Sequence, residues 1–166
     1  MAKTLGVNFS ANLQADYGDD STINAEKGDL KWNVSDSLAT GTAAEQADQF
    51  YAGRRTLAAT SENIDLAGGL TDAYGAALTF EVVKAILIRN RNTTAGHTLT
   101  VGAATASAFT SWASTAVATY LVPANSLDAK WSPGAGFAVN TASAKLLRID
   151  AGTNTVVYDL LVVGTS

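Results

Sequence analysis

Residues 155–163 constrain the fold of this chain more than any other segment. Val156, Tyr158, Leu160 and Val162 share one face of an extended run, while Val157, Leu161 and Val163 share the other. A strand apolar on both sides has to be covered on both, so it belongs inside a sandwich or under a neighbouring element. Just before it, Leu147 and Ile149 face one way and Ala151-Gly152-Thr153-Asn154 reads as a turn. The spacing predicts a terminal hairpin. A second two-sided run, 80–88, carries Val82, Val83, Ile86 and Ile88 and closes on Arg89-Asn90-Arg91-Asn92. A helix could also carry this pattern, but the density of β-branched residues favours a central strand.

Weaker alternation surrounds these two runs. Leu5, Val7 and Phe9 alternate with polar residues, as do Leu30, Trp32 and Val34, Ile64 and Leu66, and His97, Leu99 and Val101. Residues 117–122 form another apolar strand stopped by Pro123, and Phe137 and Val139 mark a short one after Pro133-Gly134. Between them, residues 14–22 read as a polar loop, 35–42 as a linker, Gly68-Gly69 as a break and 72–75 as a turn. Ala43, Ala47 and Phe50 approximate helical spacing, which predicts a turn or two of helix. About eight to ten short strands separated by turn signals indicate a sandwich or a barrel.

Composition removes whole classes of chemistry. The 166 residues include no cysteine and one histidine, so thiolate sites, disulfides and multi-histidine metal clusters are excluded. No apolar run reaches the roughly 20 residues of a membrane-spanning helix, and residues 1–10 lack a secretory core. A net charge of −4 without a basic patch argues against nucleic acid. His97 is in phase with Leu99 and Val101 and reads as a strand-end histidine rather than a general base. Asp16, Asp19 and Asp20 could clasp calcium, but EF-hand spacing is absent and a solvated acidic loop is the simpler reading. No nucleophile elbow, Walker sequence or complete dinucleotide fingerprint occurs. The residues therefore point to no enzyme and no cofactor.

Two long-range patterns remain. Residues 1–81 hold twelve acids and five bases, whereas 82–166 hold three acids and six bases. Residues 92–127 contain no Asp, Glu, Lys or Arg at all. Charge depletion around Phe109, Trp112, Val117 and Tyr120 is the composition of an interface core. The same strip could thread the domain's own core, or form a low-charge Ala/Ser/Thr surface. Arg54-Arg55 and Arg89-Asn-Arg91 could pair with acids of a neighbouring subunit, or simply be solvated strand ends. Trp32, Trp112 and Trp131 could stack on sugars, or fill cores and contacts.

The order Gly41-Thr-Ala-Ala-Glu-Gln-Ala-Asp48, Tyr51, Arg55-Thr-Leu-Ala-Ala59, Ile64-Asp-Leu-Ala-Gly68, Leu70-Thr-Asp-Ala-Tyr-Gly75 and Val157-Tyr-Asp-Leu-Leu-Val-Val-Gly164 resembles a group of small tailed-bacteriophage virion proteins. The similarity covers residues 41–166, and its motifs are turn and strand signals without catalytic content. The strand pattern, with the resemblance beside it, predicts an all-β protein: an antiparallel, jelly-roll-like β-sandwich over 41–166, preceded by an extended N-terminal arm, 1–40, whose short strands cannot build a core alone and are expected to lie on neighbours. The resemblance implies a capsid decoration (cement) protein on the head surface, assembled in the host cytoplasm. Its partners would be the major capsid protein and further copies of itself, as a homotrimer, with no nucleic acid or membrane involved. The charge-free strip and the basic pair, not the resemblance, place the expected oligomer and capsid contacts on Phe109, Trp112, Val117, Tyr120, Arg54 and Arg55. A tail or fibre component that binds a receptor or glycan is the alternative.

Overall fold

The computed structural model describes residues 4–19, 26–113 and 115–166. Among them there is no helix. The strands in chain order are β1 (Val7–Asp19), β2 (Glu26–Thr40), β3 (Gln46–Ala47), β4 (Gln49–Ala58), β5 (Ser61–Asp65), β6 (Ala67–Thr71) and β7 (Ala77–Thr79). They continue with β8 (Val82–Asn90), β9 (Leu99–Gly102), β10 (Thr119–Val122), β11 (Leu127–Trp131), β12 (Phe137–Ala138), β13 (Leu146–Asp150) and β14 (Thr155–Thr165).

Two antiparallel sheets form the body. The front sheet has the order β11-β8-β14-β4, with β12 also on β8, and the back sheet has the order β10-β9-β13-β5. The pairing is nested along the chain: β4 lies beside β14, β5 beside β13, β8 beside β11 and β9 beside β10. Both two-sided runs, β8 and β14, occupy the central positions of the front sheet, where their sequence requires cover. Between the sheets, Val156, Tyr158, Leu160, Val162, Ile86 and Ile88 meet Ile64, Leu99, Val101, Val122, Leu147 and Ile149, all buried. Each such side chain contributes about 1.5–3 kcal/mol through burial.

The segment read as a terminal hairpin is a corner. β13 pairs with β5 and β9 in the back sheet, whereas β14 pairs with β4 and β8 in the front sheet. Residues 151–154 carry the chain from one layer to the other, and Leu147 and Val156 face the same core from opposite sides. A four-residue turn between apolar strands serves either connection equally well. The predicted helical turns at 43–50 are also absent. Here Ala39 and Thr40 pair in parallel with Gln46 and Ala47, and Asp48 N–H donates to Gly164 O, so sheet ladders take the backbone groups a helix would need. Gly68-Gly69 does not end a strand but lies within β6, at an irregularity in its pairing with β7.

The N-terminal segment is a long two-stranded ribbon, with β1 and β2 paired from Val7↔Leu38 to Asp19↔Glu26. The expected linker at 35–42 is mostly strand. The expected loop at 14–22 is strand as far as Asp19, and its remainder, with Asp20, lies outside the described residues. The root of the ribbon packs on the outer face of the front sheet, where Leu38, Ala47, Ala85 and Val163 form a second buried cluster with Leu5, Val7, Leu87 and Trp131 around it. This third layer supplies the outer cover that β14 needs at Val163.

Candidate interaction surface

The outer face of the front sheet follows directly from its register. Trp131 pairs with Ala85, Ala85 with Val163 and Val163 with Phe50, which makes one row across the four strands. The next row is Ala129, Leu87, Leu161 and Ala52, and the third is Leu127, Arg89, Asp159 and Arg54. Apolar residues thus fill the first two rows and charge dominates the third.

The ribbon covers the first row from Trp131 to Val163 and leaves Phe50 at its end exposed. Phe9 stacks on Trp131 with ring centroids 4.8 Å apart and planes 15° from parallel. Asp36, directly across from Phe9, is the one acid on that ribbon face between Val7/Leu38 and Ala15/Leu30, and it accepts the Trp131 indole N–H at 2.9 Å. A half-buried indole needs such an acceptor, so the carboxylate in an otherwise apolar series has its partner. Between the ribbon root and the sheet, Leu5, Val7, Phe9, Phe50, Leu161 and Val163 border a shallow apolar groove of about 320 Å³. The second row stays largely open: Ala52 and Ala129 are exposed, and Leu87 and Leu161 are half-buried.

The third row is an ion-pair cluster. Asp159 accepts from Arg54 Nε at 2.7 Å and from Arg91 Nη1 at 3.1 Å. The Arg54 guanidinium, followed by Arg91, holds the Asp159 carboxyl below its ordinary range. Because these groups face water, the cluster orients more than it stabilises.

Arg54 and its neighbour Arg55 turn to opposite faces of β4, as alternation demands. Arg55 is directed between the sheets and donates to Glu62 and, at 3.0 Å, to the Tyr51 hydroxyl, while the Tyr158 hydroxyl also donates to Glu62. Burial, reinforced by Glu62, pushes the Tyr158 phenol far above its usual value. All four groups are engaged with one another, so the network fixes the β4–β5 corner against β14. Phe109 is likewise inside, packed in the chain's own core. Phe109 therefore presents no surface to a partner, and Arg55, about a third exposed, is held by Glu62 and Tyr51.

The rest of the uncharged strip divides by strand phase. Leu99, Val101 and Val122 enter the core, whereas Val117, Leu121 and Leu127 stand more than half exposed. Trp112 and Tyr120 pack edge to face at 5.2 Å, the Trp112 indole donates to Phe109 O, and the Lys130 ammonium lies 3.8 Å from the Tyr120 ring centroid. Burial, then the Asp128 carboxylate, pushes the Tyr120 phenol far up. Of the sequence-selected residues, Val117 and Arg54 are open to solvent and Trp112 and Tyr120 are half-covered.

His97 sits just before β9, its Nδ1 2.8 Å from Asn92 Nδ2 and 3.1 Å from Thr155 O. Asn92 Oδ1 accepts the Val157 N–H and buried Asn90 donates to His97 O and Val122 O. This constellation latches the end of β8 to the start of β14. Among the described residues no group of three or more His, Asp or Glu converges in a way that could hold a metal ion. The Asp16, Asp19 and Asp20 side chains lie outside the described residues.

Sequence reasoning did not single out the outer half of the ribbon. Ala11/Val34, Leu13/Trp32 and Ala15/Leu30 are opposite pairs on the face that carries Val7 and Phe9. Leu13, Leu30 and Trp32 are 61, 67 and 55% exposed. The available signal was that alternation on both sides of residues 16–29 stays in phase, which marks one long amphipathic hairpin rather than two short strands. No protein-family model matches this chain, and no curated protein or solved structure is significantly similar to it.

Proposed function

We propose that this chain is a structural protein of a tailed-bacteriophage virion, most specifically a capsid decoration protein that binds across capsid subunits, and not an enzyme. The observation that carries this reading is uncovered apolar surface. Leu13, Trp32 and Leu30 stand together on one ribbon face, each more than half exposed, with Val117, Leu121 and Leu127 exposed elsewhere, and clustered apolar exposure marks sites of association. The motifs that carry the phage resemblance lie on β3 to β6, the turn after β6, and β14, so the likeness concerns the framework that displays this surface. The nested strand pairing supports a jelly-roll description, since two interlocked Greek keys place first and last strands side by side in this way. Self-association, as a trimer, and the major capsid protein are the proposed partners.

The deciding experiment adds the purified chain to heads that lack it and images them by electron microscopy. Extra density at fixed, repeated positions on the head exterior is the expected result. Density confined to the tail, or none, rules out the decoration role. One feature favours a second reading as a glycan-binding tail or fibre component. Tyr74, 86% exposed, borders a groove of about 870 Å³ with Phe50, Asp48, Asp72 and Gln49. Gln49 Oε1 is buried there without a hydrogen-bond partner among the described residues. Saturation-transfer NMR with host surface glycans tests it: transfer that Tyr74→Ala abolishes supports the second reading, and no transfer removes it.

A further inference from the structure

The geometry points to the outer half of the β1–β2 ribbon docking, apolar face down, on the open second row of the front sheet of another copy of this chain. The inference deepens the self-association in the reading above and depends on it only there.

The ribbon has two chemically distinct faces. One carries Val7/Leu38, Phe9/Asp36, Ala11/Val34, Leu13/Trp32 and Ala15/Leu30; the other carries Asn8/Ser37, Ser10/Ser35, Asn12/Asn33 and Gln14/Lys31. From Val7 to Ala15 the apolar face is interrupted only by Asp36, but cover is not continuous. At the root it meets Trp131 and Val163, and beyond Phe9 the chain itself leaves Leu13, Trp32 and Leu30 open. A two-stranded hairpin is marginally stable alone in water, so this half needs a surface to lie on.

A second copy offers the matching surface. The row Ala129, Leu87, Leu161 and Ala52 adjoins the row the ribbon root already covers, on the same sheet and with the same apolar character. Ribbon-on-sheet packing is thus present once within the chain, and a neighbour's ribbon would extend it by one row. Charge complements the fit. Residues 14–31 contain five acids and two lysines. The row beyond the apolar one carries Arg54 and Arg89 with the single Asp159, and Arg91, just past the end of β8, reaches that Asp159 as well. Opposite fields of this kind set orientation and encounter rate.

Size sets the strength expected of the contact. The five pairs from Ala11/Val34 to Ala15/Leu30, at roughly 3.3 Å per residue and two strand widths, give a footprint on the order of 150 Å² on each partner, which matches the size of the four-residue row. Reciprocal exchange of two ribbons then buries on the order of 600 Å² and a ring of three copies on the order of 900 Å², the scale of a weak association that further contacts on the virion would reinforce.

The absence of cysteine makes a direct test possible. One preparation carries Leu13→Cys and a second carries Ala52→Cys; the two are mixed and oxidised under mild conditions without any phage heads. A mixed disulfide between them, together with sedimentation equilibrium showing a species heavier than 17.1 kDa, is the expected result. Trp32→Asp should weaken association by roughly 30-fold, the effect of losing a central aromatic anchor. Its melting temperature, measured in parallel, should match that of wild type, because Trp32 lies outside the sandwich core. Arg89→Glu should slow association with a smaller loss of affinity. A chain that remains monomeric at high concentration overturns the proposal. So does crosslinking of Leu13→Cys only to itself, which would mean ribbon against ribbon. Failure to attach to heads with the mixed disulfide intact would instead count against the decoration role alone.

Discussion

The root of the ribbon and its outer half are written in the same pattern and meet opposite fates. Val7 and Phe9 alternate with Asn8 and Ser10 just as Leu13 and Ala15 alternate with Asn12 and Gln14. The root lies under cover against Trp131, Ala85 and Val163, and the outer half presents Leu13, Leu30 and Trp32 to solvent. A periodic apolar face therefore states that a surface is to be buried without stating by what. The front sheet makes the same point from the other side. β14 is apolar on both faces, and its two covers come from different parts of the chain, the back sheet and the N-terminal ribbon.

The largest effect that can break this picture is in the core. Val162→Asp places an unpaired charge between the sheets and should cost about 3 kcal/mol or more. If a denaturant titration shows wild-type stability, the placement of β14 is wrong. Next comes the root of the ribbon. Trp131→Ala removes the Phe9 stack and the Asp36 hydrogen bond and should cost about 2–3 kcal/mol, at the low end for a large aromatic because the ring is only half-buried. Hydrogen exchange should speed up in β1 and β2 while the centres of β8 and β14 stay protected. Equal acceleration everywhere would mean that ribbon and sandwich are one cooperative unit.

Gly164→Ala probes the bulge where β14 changes register against β8. A methyl there collides with the Val82 carbonyl and the Phe80 ring, and backbone cannot yield as a side-chain end can. A loss of about 2 kcal/mol is expected in thermal unfolding. Alkaline titration gives a smaller effect. Tyr158 and Tyr120 are held neutral in the folded state chiefly by burial. A raised folded pKa means the folded chain keeps protons that the unfolded chain releases, so stability is full below the ordinary phenol value of about 10 and falls as the pH rises past it. Tyr158→Phe should flatten that fall. The smallest effect is Arg54→Ala, which should leave the melting temperature nearly unchanged because its ion pair with Asp159 faces water. A large loss there would move the third row from orientation to stability.

Much of the fold was legible in local pattern. β-branched density and two-sided alternation identified β8 and β14 as interior strands, and Pro123 and the 72–75 turn marked where strands stop. The corner at 151–154 was not legible, because a turn between apolar strands is compatible with one sheet or two. The helical spacing of Ala43, Ala47 and Phe50 misled for a related reason. Small residues permit a helix, but the ladder to β2 and β14 satisfies the same backbone groups. At the candidate site, adjacency in sequence concealed that Arg54 and Arg55 face opposite ways, one to solvent and one to Glu62. The uncharged strip was divided between core and surface by strand phase, which composition does not record.

By itself, then, the sequence determined that the chain builds strands, which residues share a face and which faces have to leave water, because side-chain alternation and the cost of exposing apolar area act over a few residues at a time. Only the tertiary structure decided which strands are neighbours, that the ribbon root lies over the front sheet and that its outer half extends uncovered. Those choices depend on contacts between residues far apart in the chain, where many pairings satisfy the same local pattern and packing selects one.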